Sequence, residues 1–417
     1  MSDAWIPSLR PEPLFTMDGV RGWAEFSLTA SRKHLNHASF GAVPTRTLEH
    51  QAELKERLES NPHAWFADLP AMHAATRASL AAFVGAPADE IAMVPNASAA
   101  ASIALSSVPL ARGDEVLLTD HAYGAVAMGV ERQARRSGAN ARTVSVPLAA
   151  GEDEALRVVL DNVSTRTKVV VVDQVSSPTA RLLPVARIAE GLMQNDVVVV
   201  VDGAHALGTF PHAAIRAPNV IWFGNLHKYF CAPRGSAVLV AQGDLAGRLE
   251  PLIDSWGSGL PFPQNFDTQG TLDSTGFLAS AHAVRTLEAL FTWDRIRAHS
   301  RALGGWARSL IEAELSRITT TSQVPRHHGE PQASLHVGMP VLEQPLLRLP
   351  PGVATDGASA TELRDSFRQK ADCEVGVSTW RGVGFIRISP HAYNTADDYE
   401  YFVERALPII KEASRKS

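Results

Sequence analysis

The sequence has few cysteines, no long apolar run and no excess of positive charge. Its two cysteines, Cys231 and Cys373, permit no framework of several disulfides and no cysteine-based zinc site. The longest aliphatic runs, at residues 169–172 and 197–201, are far shorter than the roughly 18–20 apolar residues that cross a bilayer. With 39 basic and 44 acidic residues, the formal net charge is −5. This charge argues against an affinity for nucleic acid or for an anionic membrane.

Composition and length indicate an ordinary globular chain. Hydrophobic residues make up 45% and charged residues 20% of the sequence, which excludes a disordered chain. The 417 residues predict two domains, or one large domain that carries a smaller one. Residues 1–10 show no cationic region followed by an apolar one, so we expect no secretory signal. We therefore expect a soluble, cytoplasmic protein with neither nucleic acid nor membrane as a partner.

The middle of the chain alternates short β-branched runs with amphipathic segments, of which residues 125–137 and 185–195 are the clearest. Several of the strand candidates are apolar on both faces, which is typical of a sheet covered by helices on both sides. These candidates lie at residues 91–95, 115–119, 142–146, 168–173, 196–202, 220–223 and 236–241. The alternation predicts an α/β fold with a large, doubly wound, mostly parallel sheet. The connection at residues 228–235 is too short for a crossover helix, so we expect one antiparallel strand there.

The two ends of the chain have a different pattern. Residues 1–45 are rich in proline and glycine, and residues 281–290 and 293–318 predict a long helix or a bent pair. Further on, we predict a strand at residues 384–389 and helices at residues 360–370 and 396–412. The predicted domains are a large α/β domain at residues 45–285 and a smaller α+β domain built from both termini, residues 1–44 plus 286–417.

Several widespread motifs are missing, including G-x-G-x-x-G, the P-loop and H-E-x-x-H. His327 and His328 lie between Pro325 and Gly329 in a polar stretch that is typical of a solvated loop. We predict no metal site.

The most informative stretch contains Asp202, at the end of an apolar run, and Lys228, which follows the next apolar run 26 residues later. In doubly wound sheets ligands bind at the carboxyl ends of the strands, so we expect the two side chains in one crevice. One interpretation is a structural ion pair. The other is a site for pyridoxal phosphate, with a Schiff base to Lys228 and Asp202 beside the pyridinium nitrogen, which keeps the ring protonated and able to accept electrons.

The motifs around these two residues resemble those of a known family. They are DGAHA at 202–206, NLHKY at 225–229, CAPRG at 231–235, LNHASFG at 35–41, RIS at 387–389 and YN at 393–394. Together they resemble the class V aminotransferase superfamily of fold-type-I pyridoxal-phosphate enzymes, and within it the isopenicillin-N-epimerase-like group. The resemblance covers roughly residues 34 to 402. It implies the fold-type-I architecture with pyridoxal 5'-phosphate as the cofactor.

The resemblance also implies roles for the residues near Lys228. Lys228 would hold the cofactor and shuttle the Cα proton, Asp202 would pair with the pyridinium nitrogen, and His205 would lie near the phenolic oxygen. His227 would reach the phosphate, although it could also simply pack beside Lys228. Asn225 stands where the wider family often has serine, and an asparagine there can still donate to phosphate.

The phosphate requires further donors, and the helix that opens at Ala97 and Ser98 offers them. A helix N-terminus presents free N–H groups and a positive dipole end to an anion. Asn96 or Ser98 could also cap this helix, and the two roles are compatible. The resemblance places Gly270 and Thr271 at the phosphate of a second subunit, which implies a homodimer with shared active sites.

Further residues would contact the cofactor ring and the substrate. Tyr123 follows a predicted strand where this fold puts the ring that stacks on the cofactor, and His121 is the alternative. Arg387 would bind the α-carboxylate of a small amino-acid substrate bidentately. Asn36 and Ser177 would also line the substrate pocket.

Three reactions remain open at the Cα atom of the amino acid. Epimerisation is the reaction that the group resemblance favours, and Tyr123, His121 and His37 are candidates for the second proton donor. The alternatives are β-elimination by a carbon–sulfur lyase acting on a cysteine conjugate or sulfoxide, and transamination. A cysteine desulfurase requires a nucleophilic cysteine on a mobile loop. In desulfurases this cysteine precedes the Arg-x-Ser motif, and the corresponding residues 375–382 of this chain contain none. A non-catalytic binding protein would have little need of both Lys228 and Asp202.

Overall fold

The structure is a computed structural model that describes residues 9–321 and 339–416, so His327 and His328 lie outside the described residues. The chain divides into two compact units. We call residues 41–177 and 181–286 the sheet unit, and residues 1–40, 178–180 and 287–417 the terminal unit. The predicted domain boundaries stay a prediction.

Helices and strands alternate through the sheet unit, as the sequence pattern predicts. In chain order the helices are α1 (Thr45–Ser60), α2 (Pro62–Val84), α3 (Ala97–Ser106), α4 (Gly124–Ser137), α5 (Glu152–Leu160), α6 (Val185–Gly191), α7 (Gly243–Ala246), α8 (Thr275–Leu278), α9 (Ser280–Phe291), α10 (Trp293–Thr321), α11 (Gly357–Lys370) and α12 (Ala396–Lys416). The strands are β1 (Lys33–His34), β2 (Ile91–Val94), β3 (Glu115–Thr119), β4 (Asn140–Val144), β5 (Thr167–Asp173), β6 (Val198–Asp202), β7 (Val220–Asn225), β8 (Ala237–Val240), β9 (Leu346–Arg348), β10 (Cys373–Glu374), β11 (Gly376–Trp380) and β12 (Val383–Arg387).

The sheet unit contains a seven-stranded sheet in the order β2-β8-β7-β6-β5-β3-β4. Strands β7, β6, β5, β3 and β4 are parallel to their neighbours within this group, and β8 is antiparallel to both β7 and β2. The predicted mostly parallel α/β fold and its antiparallel strand are confirmed. The valine-rich strands β5 and β6 are buried almost throughout, because side chains on both faces lie inside the unit.

Among the strands, β4 is shifted furthest from its predicted bounds. We expected residues 142–146, whereas β4 begins at Asn140, which pairs with Glu115 of β3. Val146 lies beyond the strand, because its N–H donates to the Asp120 carboxylate at 3.0 Å. A side chain thus replaces the neighbouring strand as the hydrogen-bond acceptor.

The terminal unit is an α+β structure formed from both ends of the chain. Strands β11, β12 and β9 form an antiparallel sheet, and β1 from the N-terminal part pairs in parallel with β10. The core includes Leu35, Ile311 and Phe367. Helices α9 and α10 are the bent pair that the sequence predicts, separated at Thr292, whose φ is +60°. Among the described residues, we find no helix whose length and hydropathy would let it cross a bilayer.

Candidate active site

Polar residues end three neighbouring strands of the sheet unit. Asp173 is the last residue of β5, Asp202 of β6 and Asn225 of β7. Asp173 pairs in register with Asp202 across the two strands. Since the carboxyl ends of parallel strands meet at one edge of a sheet, these side chains lie together at the edge where ligands bind in such folds.

Lys228 follows β7 and contacts two of the residues that the sequence analysis selected. Its Nζ lies 3.1 Å from Nε2 of His205, which is buried. The same Nζ lies 6.0 Å from the centre of the Tyr123 ring, and Tyr123 is 44% exposed. The structure therefore brings Lys228, His205 and Tyr123 together.

The backbone at Lys228 is fixed by a close approach of the chain at Gly41. The Gly41 N–H donates to the His227 carbonyl at 3.0 Å, and a Cβ at Gly41 would lie only 2.1 Å from the Lys228 carbonyl oxygen. On the other side, the Cys231 N–H donates to the Lys228 carbonyl at 2.9 Å. The lysine thus extends from a tight turn whose geometry requires glycine at position 41.

Two carboxylates are buried at this edge. Asp202 is 4% exposed, and its Oδ1 accepts from the Ala204 N–H at 2.9 Å. Burial raises the pKa of Asp202, while the Ala204 N–H and the Lys228 charge oppose this change. Burial, and then the neighbouring Asp202 carboxylate, raise the pKa of Asp173 well above its usual range. The sequence analysis missed Asp173, although it ends an apolar strand just as Asp202 does.

The candidate phosphate contacts lie around the start of α3. Asn96 caps this helix, because its Oδ1 accepts from the Ala99 N–H at 2.9 Å. The Oδ1 of Asn225 accepts from the Ala97 N–H at 3.0 Å, so this N–H already has a side-chain partner. Asn225 therefore retains its Nδ2 as the donor for a phosphate. Ser98 is exposed in the first turn.

His227 is partly buried beside Lys228, and its Nδ1 is buried with no hydrogen-bond partner. Burial, followed by the Lys228 charge, lowers the pKa of His227 to about 4. The imidazole is therefore neutral at neutral pH. Gly270 and Thr271 are exposed in the loop before α8, and Gly270 has a φ of +87°. Their contact with a second subunit stays a prediction.

In the terminal unit, Arg387 ends β12 and is 6% exposed. Its Nη2 donates to Ser39 Oγ at 3.1 Å and to Asn36 Oδ1 at 3.4 Å, and the Ser39 hydroxyl donates to the same Asn36 oxygen at 2.9 Å. Gly376 pairs with Arg387, and a Cβ there would lie 3.1 Å from Asn36 Oδ1. Asn36 is therefore placed to orient the guanidinium, and Ser39 is a further contact that the sequence analysis did not select.

The remaining candidates have contacts of different kinds. His121 is buried and its Nε2 hydrogen-bonds the Val146 carbonyl at 2.8 Å, so the ring beside Lys228 belongs to Tyr123. Nδ1 of His37 lies 3.0 Å from the Tyr393 hydroxyl. Ser177 is partly buried in the loop that follows β5.

The donor set of the sheet unit fits pyridoxal phosphate. A buried carboxylate such as Asp202 is stable when a cation faces it, and a protonated ring nitrogen supplies that cation. The buried, unpartnered Nδ1 of His227 is a polar atom that a ligand can satisfy. Lys228 offers an amine of the kind that forms the covalent link to this cofactor.

Comparisons with known proteins agree with this geometry. The family model Aminotransferase class-V matches residues 35–402. The isopenicillin N epimerase of Streptomyces clavuligerus is 30% identical over 386 residues, which cover 88% of this chain and 92% of that protein. The putative L-cysteine desulfhydrase 1 of Oryza sativa subsp. japonica is 26% identical over an alignment of 449 positions, which covers 98% of this chain and 89% of that protein.

Among solved structures, a variant of C-DES with glycine covalently linked to its pyridoxal phosphate cofactor has a TM-score of 0.71 and 20% identity, and the match covers 91% of this chain and 97% of that one. This likeness confirms the predicted fold class. The family match confirms the predictions of an enzyme and of pyridoxal phosphate as its cofactor. By the extent of that match, the chain belongs to the class V aminotransferase family.

Proposed function

We propose that this enzyme epimerises an amino acid at Cα, as an isopenicillin-N-epimerase-like protein. The observation that carries the proposal is the position of the Lys228 amine, 3.1 Å from His205 Nε2 and beside the strand end that carries Asp202. The similarity to an epimerase over 88% of the chain favours this reaction among those available to the family.

The bound cofactor supplies an acceptor for the electron pair of the Cα–H bond. The protein residues then have separate tasks. Lys228 Nζ takes the proton from one face of Cα, and its hydrogen bond to His205 Nε2, 3.1 Å away, orients that nitrogen. A second proton must then reach the opposite face of Cα, and the candidate donors for it are Tyr123, His121 and His37. Asp202 would pair with the ring nitrogen of the bound cofactor, and Tyr123 would stack on its ring.

The phosphate is held by groups near the start of α3. Asn225 Nδ2, His227 and the first turn of α3 at Ser98 are the proposed donors, and the Ala97 N–H holds Asn225 in place by donating to its Oδ1. Gly270 and Thr271 of a second copy complete this set in the proposed homodimer. The cytoplasmic location stays a prediction.

The substrate carboxylate binds Arg387 in this proposal, with Asn36 and Ser177 lining the pocket. A planar guanidinium matches a carboxylate with two parallel hydrogen bonds, which fixes direction as well as charge. Because Ser39 and Asn36 both accept from Nη2, the guanidinium is oriented before the substrate arrives.

A carbon–sulfur β-lyase is the second candidate, supported by the similarity to the putative L-cysteine desulfhydrase over 98% of the chain. It uses the same initial removal of the Cα proton by Lys228. Transamination is a further alternative within the family. A desulfurase is less compatible with the structure, because Cys231 and Cys373 are buried and burial raises the pKa of both thiols, to about 12 for Cys373.

The decisive experiment incubates the holoenzyme with candidate L-amino acids and cysteine conjugates in heavy water. Epimerisation gives the D-isomer with deuterium at Cα. Release of pyruvate and ammonia identifies a β-lyase, and formation of a 2-oxo acid with the amino group left on the cofactor identifies an aminotransferase. Either of the last two results without a D-isomer contradicts the proposed reaction.

A further inference from the structure

The carboxyl group of Asp173 has no role in the reaction described above, yet it occupies the centre of the strand edge. Asp173 and Asp202 are paired in register at the ends of β5 and β6, and neighbouring parallel strands lie only about 4.8 Å apart. Both residues are less than 5% exposed. By strand alternation the two side chains lie on the face that also carries Val171 and Val200, which belong to one apolar cluster.

Two carboxylates in such a place do not both keep a negative charge, because burial and mutual repulsion favour one shared proton. The surroundings decide which group carries it. Asp202 accepts a hydrogen bond from the Ala204 N–H and lies where the ring nitrogen is predicted to bind. These two partners favour the negative charge on Asp202, whereas burial and the neighbouring Asp202 charge raise the pKa of Asp173.

Asp173 also contacts the turn that carries Tyr123. The backbone N–H of Tyr123 faces the Asp173 carboxyl group and opposes the rise in its pKa, and Tyr123 is the residue that precedes α4. The ring of the same Tyr123 faces Lys228 Nζ. Asp173 therefore connects the carboxyl pair to the turn from which the stacking ring extends.

We propose that Asp173 is a positioning residue: it carries the single proton of the buried carboxyl pair, leaves the negative charge on Asp202, and holds the Tyr123 turn by accepting its backbone N–H. The inference rests on the proposed cofactor contacts of Asp202 and Tyr123. As an uncharged acceptor, Asp173 can be replaced by asparagine but not by alanine.

The test compares Asp173→Asn, Asp173→Ala and Asp202→Asn in the full-length holoenzyme. The first measurement is the rate at which cofactor is lost after dilution into a trap for free pyridoxal phosphate, which requires no substrate. We expect Asp173→Asn to stay within about threefold of the wild type, and Asp173→Ala to lose cofactor about tenfold faster, because a buried N–H loses its acceptor. Equal rates for Asp173→Ala and the wild type would overturn the positioning role.

The second measurement locates the proton by infrared difference spectroscopy, which compares the holoenzyme labelled with 13C-aspartate with the unlabelled holoenzyme. We expect a protonated-carboxyl band in the wild type that Asp173→Asn removes. Asp196→Asn is the matched control, because the Asp196 side chain is 97% exposed and its loss leaves the band unchanged. Persistence of the band in Asp173→Asn would place the proton elsewhere and overturn the proposal.

The third measurement, kcat/KM, distinguishes the role of Asp173 from that of Asp202. Asp173→Asn should keep kcat/KM within about threefold, in contrast to Asp202→Asn, because only one of the two carries charge in the proposal. Equal damage by both substitutions would show that Asp173 is needed as an anion. A failure of the proposed epimerisation is distinguishable, because it would alter the products without altering the infrared band or the rate of cofactor loss.

Discussion

The two units of the chain position their charged groups by different means. In the sheet unit, the topology itself does so, because Asp173 and Asp202 are the last residues of adjacent parallel strands. In the terminal unit, side chains do so, because Arg387 is held by Asn36 and Ser39 from a segment about 350 residues earlier. The backbone thus positions the proposed cofactor residues of the sheet unit, and hydrogen bonds between distant segments position the proposed carboxylate partner.

The largest effect in the sheet unit is expected from Lys228→Ala. The substitution removes both the proposed covalent attachment and the proposed base, so we expect activity to fall by about 10³-fold or more. Borohydride reduction followed by peptide mass analysis should label Lys228 in the wild type and nothing in the variant. Lys168→Ala, in the same unit, is the control and should be labelled normally at Lys228. An adduct on another lysine in the Lys228→Ala protein would refute the assignment.

Asp202→Asn tests the charge that the strand edge provides. Asparagine keeps the shape and an acceptor for the Ala204 N–H but removes the partner of the ring nitrogen. We expect kcat to fall by about 10²-fold while the protein stays folded and binds the cofactor. Steady-state kinetics with circular dichroism measure both. Wild-type turnover in this variant would mean that the carboxylate has a different task.

These sheet-unit residues could be predicted because local patterns indicate the ends of strands. The valine runs of β5 and β6 predict buried strands, and the residue after such a run lies at the binding edge. The same pattern applies to Asp173, which ends β5 as Asp202 ends β6. The hydrogen bond from the Ala97 N–H to Asn225 was beyond sequence reasoning, because it joins residues 128 positions apart.

Other parts of the fold have sequence patterns that predict their structure less well. Helix α2 buries polar residues such as His73 and Arg77, and Arg77 forms a buried ion pair with Asp267. A helix that buries charged residues lacks the regular apolar stripe from which helices are predicted. The Asn36–Ser39–Arg387 contacts likewise follow from the folded chain and not from any local spacing.

Arg387→Lys tests how the terminal unit positions its charge. The substitution keeps the positive charge but removes the planar guanidinium group. We expect KM for the amino-acid substrate to rise about tenfold, with a smaller fall in kcat from poorer orientation. The absorbance spectrum of the substrate-free holoenzyme should be unchanged. Titration with substrate, followed by absorbance, measures the affinity directly. An unchanged KM would remove Arg387 from the substrate site.

The smallest effect is expected from Ser39→Ala, which leaves Arg387 in place but removes one of its fixed acceptors. The Ser39 hydroxyl accepts from Arg387 Nη2 at 3.1 Å and donates to Asn36 Oδ1 at 2.9 Å. Its loss removes one hydrogen bond from each partner and leaves the 3.4 Å bond between Arg387 Nη2 and Asn36 Oδ1. A single hydrogen bond of this kind contributes about 1 kcal/mol, which predicts a rise in KM of about fivefold with little change in kcat. Ser39→Thr keeps the hydroxyl and should restore KM. If Ser39→Ala and Ser39→Thr raise KM equally, the hydroxyl does not orient the guanidinium. In that case the backbone of β12 sets the direction of Arg387, and the terminal unit positions its charge as the sheet unit does.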